Sequence, residues 1–383
     1  MRYLITLKPQ EPYFFGTDRN VAYGSTTIQR AQMNPYYIKS ANIPSQSALF
    51  GVLRYLGIAD PKMDFSLSPE DKLNIGEKSF SLLKREQTFG RIRRISPLFL
   101  MDNQSRKYVP APLNHAAKSM SKPEDHHEIA KAAFEPYDKF SAIKQPIGCT
   151  TERYLPMQHD DKNWDDGMFV RIDDQKPVLI GHLFTTQTRV GINRDAKKKG
   201  KEAEQSGFFK KDYIQLHPDF SFAFYADLED EMSLPEQRMV CIGKGRTGFL
   251  AEAKPAEQDD VSWEKLKTVF PEKAVLDDHS CTLHYLYVQS DLWYSGDWQR
   301  LKESCCLMLA NISEYRAFTT NYDKNVSMTQ RYKKEQTLLR MIGAGAVFVC
   351  SSAGQREELI KMLESSENFE HGQTAGYNCY RSY

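Results

Sequence analysis

The nine histidines are the side chains best suited to acid–base chemistry near neutral pH, and their placement offers little of it. His126 and His127 adjoin in an acidic, proline-flanked stretch and read as exposed surface. His159-Asp160 has the form of half a metal-phosphohydrolase dyad but lacks the partner His/Asp pairs. His182 and His284 fall inside strand-like runs, where an imidazole held by its neighbours is the default. Aspartates pair at 160–161, 165–166, 173–174, 259–260 and 277–278, mostly in polar segments and never at a Gly-Gly hairpin turn, so no two-metal centre is indicated. Seven cysteines, an odd number without a C-x-x-C pair, lie mostly in apolar runs and read as buried reduced thiols of a cytoplasmic protein. Gly243-Lys-Gly-Arg-Thr-Gly248 is not a Walker A loop, and Gly343-Ala-Gly345 lacks the third glycine of a dinucleotide fingerprint. Either could let backbone N–H groups approach a phosphate, and either could equally be a turn or close approach that only glycine tolerates. No metal or cofactor motif is present, so the sequence reads as a binding protein rather than an enzyme.

Charge says what might be bound. The net charge is only +1, which excludes a uniformly basic chain, but the charges are segregated. Lys84–Lys107 holds seven basic and two acidic residues, Arg189–Lys211 eight and three, and Lys324–Arg340 five and one. Asp160–Asp174 has six aspartates, and Asp227–Glu236 has five carboxylates and no base. Basic clusters that contain or flank glycines and aromatics suit a polyanion, although each alone could be a solvated surface.

The elements that must carry these groups follow from periodicity. Tyr3–Leu7 reads as a first strand; Ser45 caps a helix with Ala48, Leu49, Val52, Leu53 and Leu56 on one face, stopped at Gly57. Arg91–Met101 and Lys107–Val109 read as strands, and residues 112–140 as a helical insertion. Val178–Thr186 and Asp219–Leu228 bracket a long basic hairpin, about 187–212; Arg238–Ile242 and Gly248–Ala253 bracket the glycine-rich turn. After a boundary near residue 255 comes a strand over Thr282–Gln289, a helix over Trp298–Tyr315 and a strand near Tyr315–Thr320. A strand over Ala344–Cys350, a helix over Gln355–Leu363 and a strand over Thr374–Tyr380 follow. That β-α-β-β-α-β order is ferredoxin-like. With 383 residues and 40% hydrophobic content, two domains of α+β class are expected, 1–255 and 256–383, and no run is long and apolar enough to span a membrane.

Several blocks taken together carry a family resemblance. They are Pro12-Tyr-Phe-Phe-Gly16 with Asp18-Arg19, Ile43-Pro-Ser-Gln46 with Leu49-Phe-Gly-Val-Leu-Arg54, and Thr188-Arg-Val-Gly-Ile-Asn-Arg194 leading to Gly207-Phe-Phe209. Ile242-Gly-Lys-Gly-Arg246, Ile342-Gly-Ala-Gly-Ala-Val-Phe348 and Ala375-Gly-Tyr-Asn378 complete the set. The chain resembles the third-Cmr-protein family of the RAMP superfamily, the subunit that caps the crRNA 5′ handle in type III-B CRISPR effector complexes; type III-A and III-D subunits share much of the pattern. The resemblance implies two ferredoxin-like (RRM-like) domains with insertions and a protruding β-hairpin thumb. It implies a non-catalytic role in the cytoplasm, with the crRNA 5′ handle, the large polymerase-like subunit and the first backbone RAMP subunit as partners, and target RNA met indirectly. The chain departs from the family where Gly243-Lys-Gly replaces two adjacent glycines and Gly345-Ala-Val replaces Gly-Ser-Val.

Handle phosphates are expected at Arg19, Arg54 and the turn Gly243, Lys244, Gly245 and Arg246, with Ser45, Gln46 and Ser47 at a helix N-terminus as further anion donors. Arg189, Arg194, Lys197, Lys198 and Lys199 are expected on the thumb. Aromatics near Tyr13–Phe15 could stack bases, with burial as the competing fate of the two phenylalanines. The alternatives are a guide-processing endoribonuclease of the same superfamily, which would need an essential His, and a scaffold that binds only proteins.

Overall fold

The computed structural model describes residues 1–22, 36–59, 67–76, 80–84, 87–119, 132–136, 139–143, 153–156, 168–193, 207–243, 246–256, 261, 263–270, 272–276, 279–316, 318–320, 332–334 and 337–383. The fold is mixed α+β and rich in sheet. A nine-stranded sheet runs in the order Pro177–Leu179, Met168–Arg171, Lys107–Pro110, Phe99–Asp102, Phe220–Leu228, Arg2–Pro9, Thr247–Pro255, Gln237–Ile242, with Ile92–Ile95 beside Phe220–Leu228. The opening strand is central because it alternates: Tyr3, Ile5 and Leu7 are buried on one face. It pairs antiparallel with Phe220–Leu228 on one side and Thr247–Pro255 on the other.

The helix Gln46–Leu56 lies on the face that carries Ile5, Leu7, Phe222, Phe224 and Phe249. Its apolar stripe puts Leu49, Phe50, Leu53 and Leu56 into that layer, and each such side chain stabilises by roughly 1.5–3 kcal/mol. Ser45 caps its N-terminus, accepting from the Ala48 N–H, and Gly57 closes it. Beyond it, the Arg238 guanidinium donates to the carbonyls of Tyr55 and Ile58, satisfying groups that a helix end leaves unpaired.

A four-stranded sheet, Leu307–Leu309, Val347–Cys350, His284–Val288, Tyr380–Ser382, is antiparallel throughout. One face meets the larger sheet: Tyr285, Tyr287, Val347 and Val349 share a core with Phe99, Val109, Val170 and Tyr225. The other face packs on the helices Trp298–Glu303 and Ala353–Glu364 through Leu301, Leu359 and Leu363.

Several elements differ from the sequence reading; the strand expected over Val178–Thr186 is broken by the short helix Ile180–Leu183, which holds His182. The described parts of 112–140 are strands, His115–Ser119 paired with Ala132–Pro136, followed by the strand Lys139–Ile143, and not a helix. Cross-strand pairing supplies the backbone bonds, and helix propensity is a weak prior that such pairing overrides. The helix expected over 298–315 ends at Glu303, because Leu307 and Leu309 enter the core in alternation beside Val347–Cys350. The last strand starts at Tyr380, preceded by a short helix, Phe369–Thr374, and two left-handed residues, Gly376 and Asn378, that no extended strand accommodates.

Candidate nucleic-acid interface

A second four-stranded sheet carries the basic hairpin. Its order is Phe184–Asn193, Gly207–Leu216, Tyr36–Ala41, Phe15–Ala22. The two ten-residue hairpin strands pair antiparallel, placing Gln187 opposite Tyr213 and Arg189 opposite Lys211. Strand alternation sorts the side chains into two faces. Asp212, Ile214 and Leu216 point inward and are buried. Lys211, Tyr213 and Gln215 point the other way, with Arg189 and Gln187 beside them.

Tyr13 anchors this sheet to the main core through reciprocal backbone bonds with Ile214, and its hydroxyl donates to the Asn42 carbonyl. Burial pushes the Tyr13 phenol far above its ordinary range, so it stays neutral. Tyr13 and Phe15 stack into the core with Phe222 and Phe249. Phe14 turns to the opposite side, where the Lys211 ammonium sits 3.8 Å from its ring centroid and 4.7 Å from that of Tyr213. The Arg189 guanidinium lies 4.7 Å from the Tyr213 centroid. These are cation–π contacts, and they hold two cations on one face. The carboxylate of Asp212 accepts from the Thr188 hydroxyl on the opposite face. Among the described residues of the hairpin's outer face there is no carboxylate.

The glycine-rich turn abuts the same place. Gly243 has φ +79°, and a Cβ there would come within 2.5 Å of the Phe14 carbonyl oxygen. Arg246 follows, exposed, with its N–H on the Gly243 carbonyl. Arg19 belongs to the strand Phe15–Ala22, in the irregular stretch between Gly16 and Asn20 at the edge of the hairpin sheet. Gly243 thus touches Phe14, whose ring Lys211 overlies, so the turn adjoins the hairpin's outer face, while the Arg19 strand and the Arg189 strand form the two edges of the same sheet. Lys244, Gly245, Arg194, Lys197, Lys198 and Lys199 lie outside the described residues.

A scan of family models matches residues 5–380 to "CRISPR-associated protein (Cas_Cmr3)". The chain belongs to the Cas_Cmr3 family. No curated protein matches. Two solved structures are similar in outline, both of a type III-B Cmr-beta assembly bound to cognate target RNA, one of them also with AMPPnP. The first is 13% identical, covering 99% of this chain and 96% of that one, at a TM-score of 0.49. The second is 12% identical with the same coverage, at 0.46.

Several residues that the Cas_Cmr3 resemblance puts in the site do other work. The Arg54 guanidinium is buried and donates to the carbonyls of Ile75 and Gly76. It clamps a loop and presents nothing to a phosphate. Gln46 is buried with its amide on the Gly376 carbonyl. The Ser47 N–H donates to the Tyr377 hydroxyl, and the Tyr315 hydroxyl donates to Ser47 Oγ, so the helix N-terminus is occupied from within. Ser45 is the helix cap. The Gly343–Gly345 loop is likewise structural: Gly345 has φ +89° and lies so close to Ala111 that a Cβ would come within 2.8 Å of its carbonyl oxygen.

Three arginines of the basic cluster Lys84–Lys107 are engaged within the fold. Arg94 pairs with Asp227, Arg106 with Asp102, and Arg91 donates to Asn74. Arg2 also holds Asp227, and the N-terminal amine holds Asp230, which engages two of the five carboxylates of the acidic stretch. Tyr213 and Lys211 are absent from the site residues read from sequence, and Phe14, read there as a stacking or a buried aromatic, is buried. The signal for the first two is the alternation of Lys211 and Tyr213 opposite Arg189 and Gln187, legible once the hairpin register is known. Among the described residues no cluster of His, Cys, Asp or Glu suits a metal ion, and no helix is long and apolar enough to cross a membrane.

Proposed function

We propose that this chain is a non-catalytic, RNA-binding subunit of a type III-B CRISPR effector complex, and that it holds the repeat-derived 5′ handle of the crRNA. Membership of the Cas_Cmr3 family supports the complex. The observation that carries RNA binding is the hairpin's outer face, where cations and aromatics interleave with no carboxylate among the described residues. Single-stranded RNA is held by that combination of phosphate contacts and stacked bases. Arg189, Lys211, Arg246 and Arg19 are the candidate phosphate ligands, with Lys244 and Gly245 as the rest of the turn. The long hairpin takes the part of the thumb, with Arg194, Lys197, Lys198 and Lys199 at its tip. The large polymerase-like subunit and the first backbone subunit are the proposed neighbours, and target RNA is met through the guide.

Both sheets support the ferredoxin-like reading. The strand neighbours Thr247–Pro255, Arg2–Pro9, Phe220–Leu228, Phe99–Asp102 follow the order fourth, first, third, second, and so do Tyr380–Ser382, His284–Val288, Val347–Cys350, Leu307–Leu309. Two of the histidines support the non-catalytic reading: His115 is buried against Asn114, and His371 packs on both Phe80 and Phe89 with Nε2 at the Ser81 carbonyl. Both are spent on packing.

The test is to tag the protein in its host, purify it gently and sequence the 5′ ends of bound RNA. One fixed 5′ tag followed by varied spacers is the expected result. Random ends, or no RNA with a folded protein, overturn the reading.

A further inference from the structure

The outer face of the hairpin holds more than charge. Beside Tyr213, the Gln187 amide nitrogen donates to the Gln215 amide oxygen at 2.8 Å, and the pair is exposed. Register explains why they meet: Gln187 is opposite Tyr213, and Gln215 lies two residues along the same strand, on the same face. One hydrogen bond between two amides leaves one amide oxygen and one amide nitrogen unused. This holds whichever way round the two amides are set. A donor and an acceptor therefore stand together next to an aromatic ring that a guanidinium overlies.

We propose that Arg189, Tyr213, Gln187 and Gln215 form a reading platform for one unpaired adenine base of a single-stranded RNA, with Lys211 on the adjoining phosphate. The proposal rests on the RNA-binding reading above and adds which base is read and by what. A guanidinium plane or an aromatic ring accepts any base by stacking, with purines offering the larger area. The edge contact then selects. The Hoogsteen edge of adenine carries an N6–H donor beside the N7 acceptor, which complements the free oxygen and nitrogen of the glutamine pair. Guanine presents two acceptors on that edge and leaves the free amide oxygen without a donor. The charge of the face fits the same occupant: Arg189 and Lys211 are cationic, and the one carboxylate in the two hairpin strands, Asp212, is turned to the opposite face and bonded there.

The test uses the purified full chain and fluorescence anisotropy with labelled short oligoadenylate, oligouridylate and oligocytidylate. The wild-type chain is expected to bind oligoadenylate at least about fivefold more tightly than the pyrimidine probes. Gln187→Ala with Gln215→Ala should level the three affinities while binding persists. Tyr213→Ala should weaken all three by about tenfold, the order expected for one lost stack, and Tyr213→Phe should restore them. Equal wild-type affinities, or a preference that survives loss of both glutamines, overturn the platform and leave RNA binding standing. As a second measurement, the complex purified from its host is crosslinked with ultraviolet light and its peptides mapped. An adenosine adduct on the Tyr213 peptide is expected, and adducts confined to other peptides overturn the proposal. No adduct anywhere on the chain, with no oligonucleotide bound, overturns the RNA reading itself.

Discussion

Arg54 and Asn378 show how much a single side chain's surroundings decide. Arg54 has the charge of a phosphate ligand, yet its guanidinium is inside the protein and bonded to two backbone carbonyls. Arg54→Ala should lower stability by about 2 kcal/mol, because it leaves buried carbonyls without donors, and should leave RNA affinity unchanged where the protein remains folded. Urea unfolding and an RNA titration on the same preparation check both halves. Asn378 is fully buried, left-handed at φ +57°, and spans the Trp293 N–H and the Phe369 carbonyl. Asn378→Ala should cost about 2–4 kcal/mol in the same assay, from two unsatisfied backbone groups and a backbone conformation that alanine resists.

The hairpin is the element that carries the proposed RNA contact. Its inner face is fastened by Tyr13, Ile214 and the Thr188–Asp212 bond, so the outer face can lose its cations without unfolding. Arg189→Ala with Lys211→Ala should weaken single-stranded RNA binding and reduce the slope of log K against log salt by about 1.4, if each cation meets one phosphate. The thermal midpoint should move little, since both groups are surface cations. An unchanged salt slope in a folded variant would remove this face from the interface. Gly243 adjoins the hairpin sheet at Phe14, from the turn between Gln237–Ile242 and Thr247–Pro255: Gly243→Ala forces a Cβ against the Phe14 carbonyl and should shift the turn, which loss of RNA affinity with little change in helix signal would report.

Across the chain, the buried imidazoles set the response to acid. Burial lowers the His115 pKa to about 3 against a hydrogen bond that the ring donates to the Val269 backbone, which acts the other way, and burial lowers that of His371 as well. An unfolded chain takes up these protons first, near pH 6.5. Their contribution to stability is therefore fully present above that pH and is lost as pH falls below it, for His115 down toward 3. For His115 the slope reaches about 1.4 kcal/mol per pH unit. Burial alone would raise Asp102 and Asp227, but hydrogen bonds from Arg106, Tyr108 and the backbone to the first, and from Arg2 and Arg94 to the second, outweigh it and hold both below the usual range. They add a second loss of stability below about pH 4. Urea unfolding at pH 7.5, 6 and 5 should show a falling midpoint, and His115→Gln should flatten it. A midpoint constant from pH 7.5 to 5 would contradict this.

Much of the architecture was legible without coordinates. Alternation marked the strands Arg2–Pro9 and Phe220–Leu228, a capped amphipathic stripe marked the helix Gln46–Leu56, and glycines marked the turn at Gly243, because these signals are local. The run after Trp298 and the segment from His115 misled for the opposite reason: the backbone partners that turned them into strands lie far along the chain, at Val347–Cys350, or across a connection, at Ala132–Pro136. The candidate site divided in the same way. Residue types marked local basic clusters beside glycines, and the order of the blocks announced the family. Which cations reach the surface was settled only by packing, since burial and hydrogen-bond partners depend on what the folded chain brings alongside. That is why Arg54 and Gln46 went inside, while Lys211, Tyr213 and the glutamine pair came to share one face.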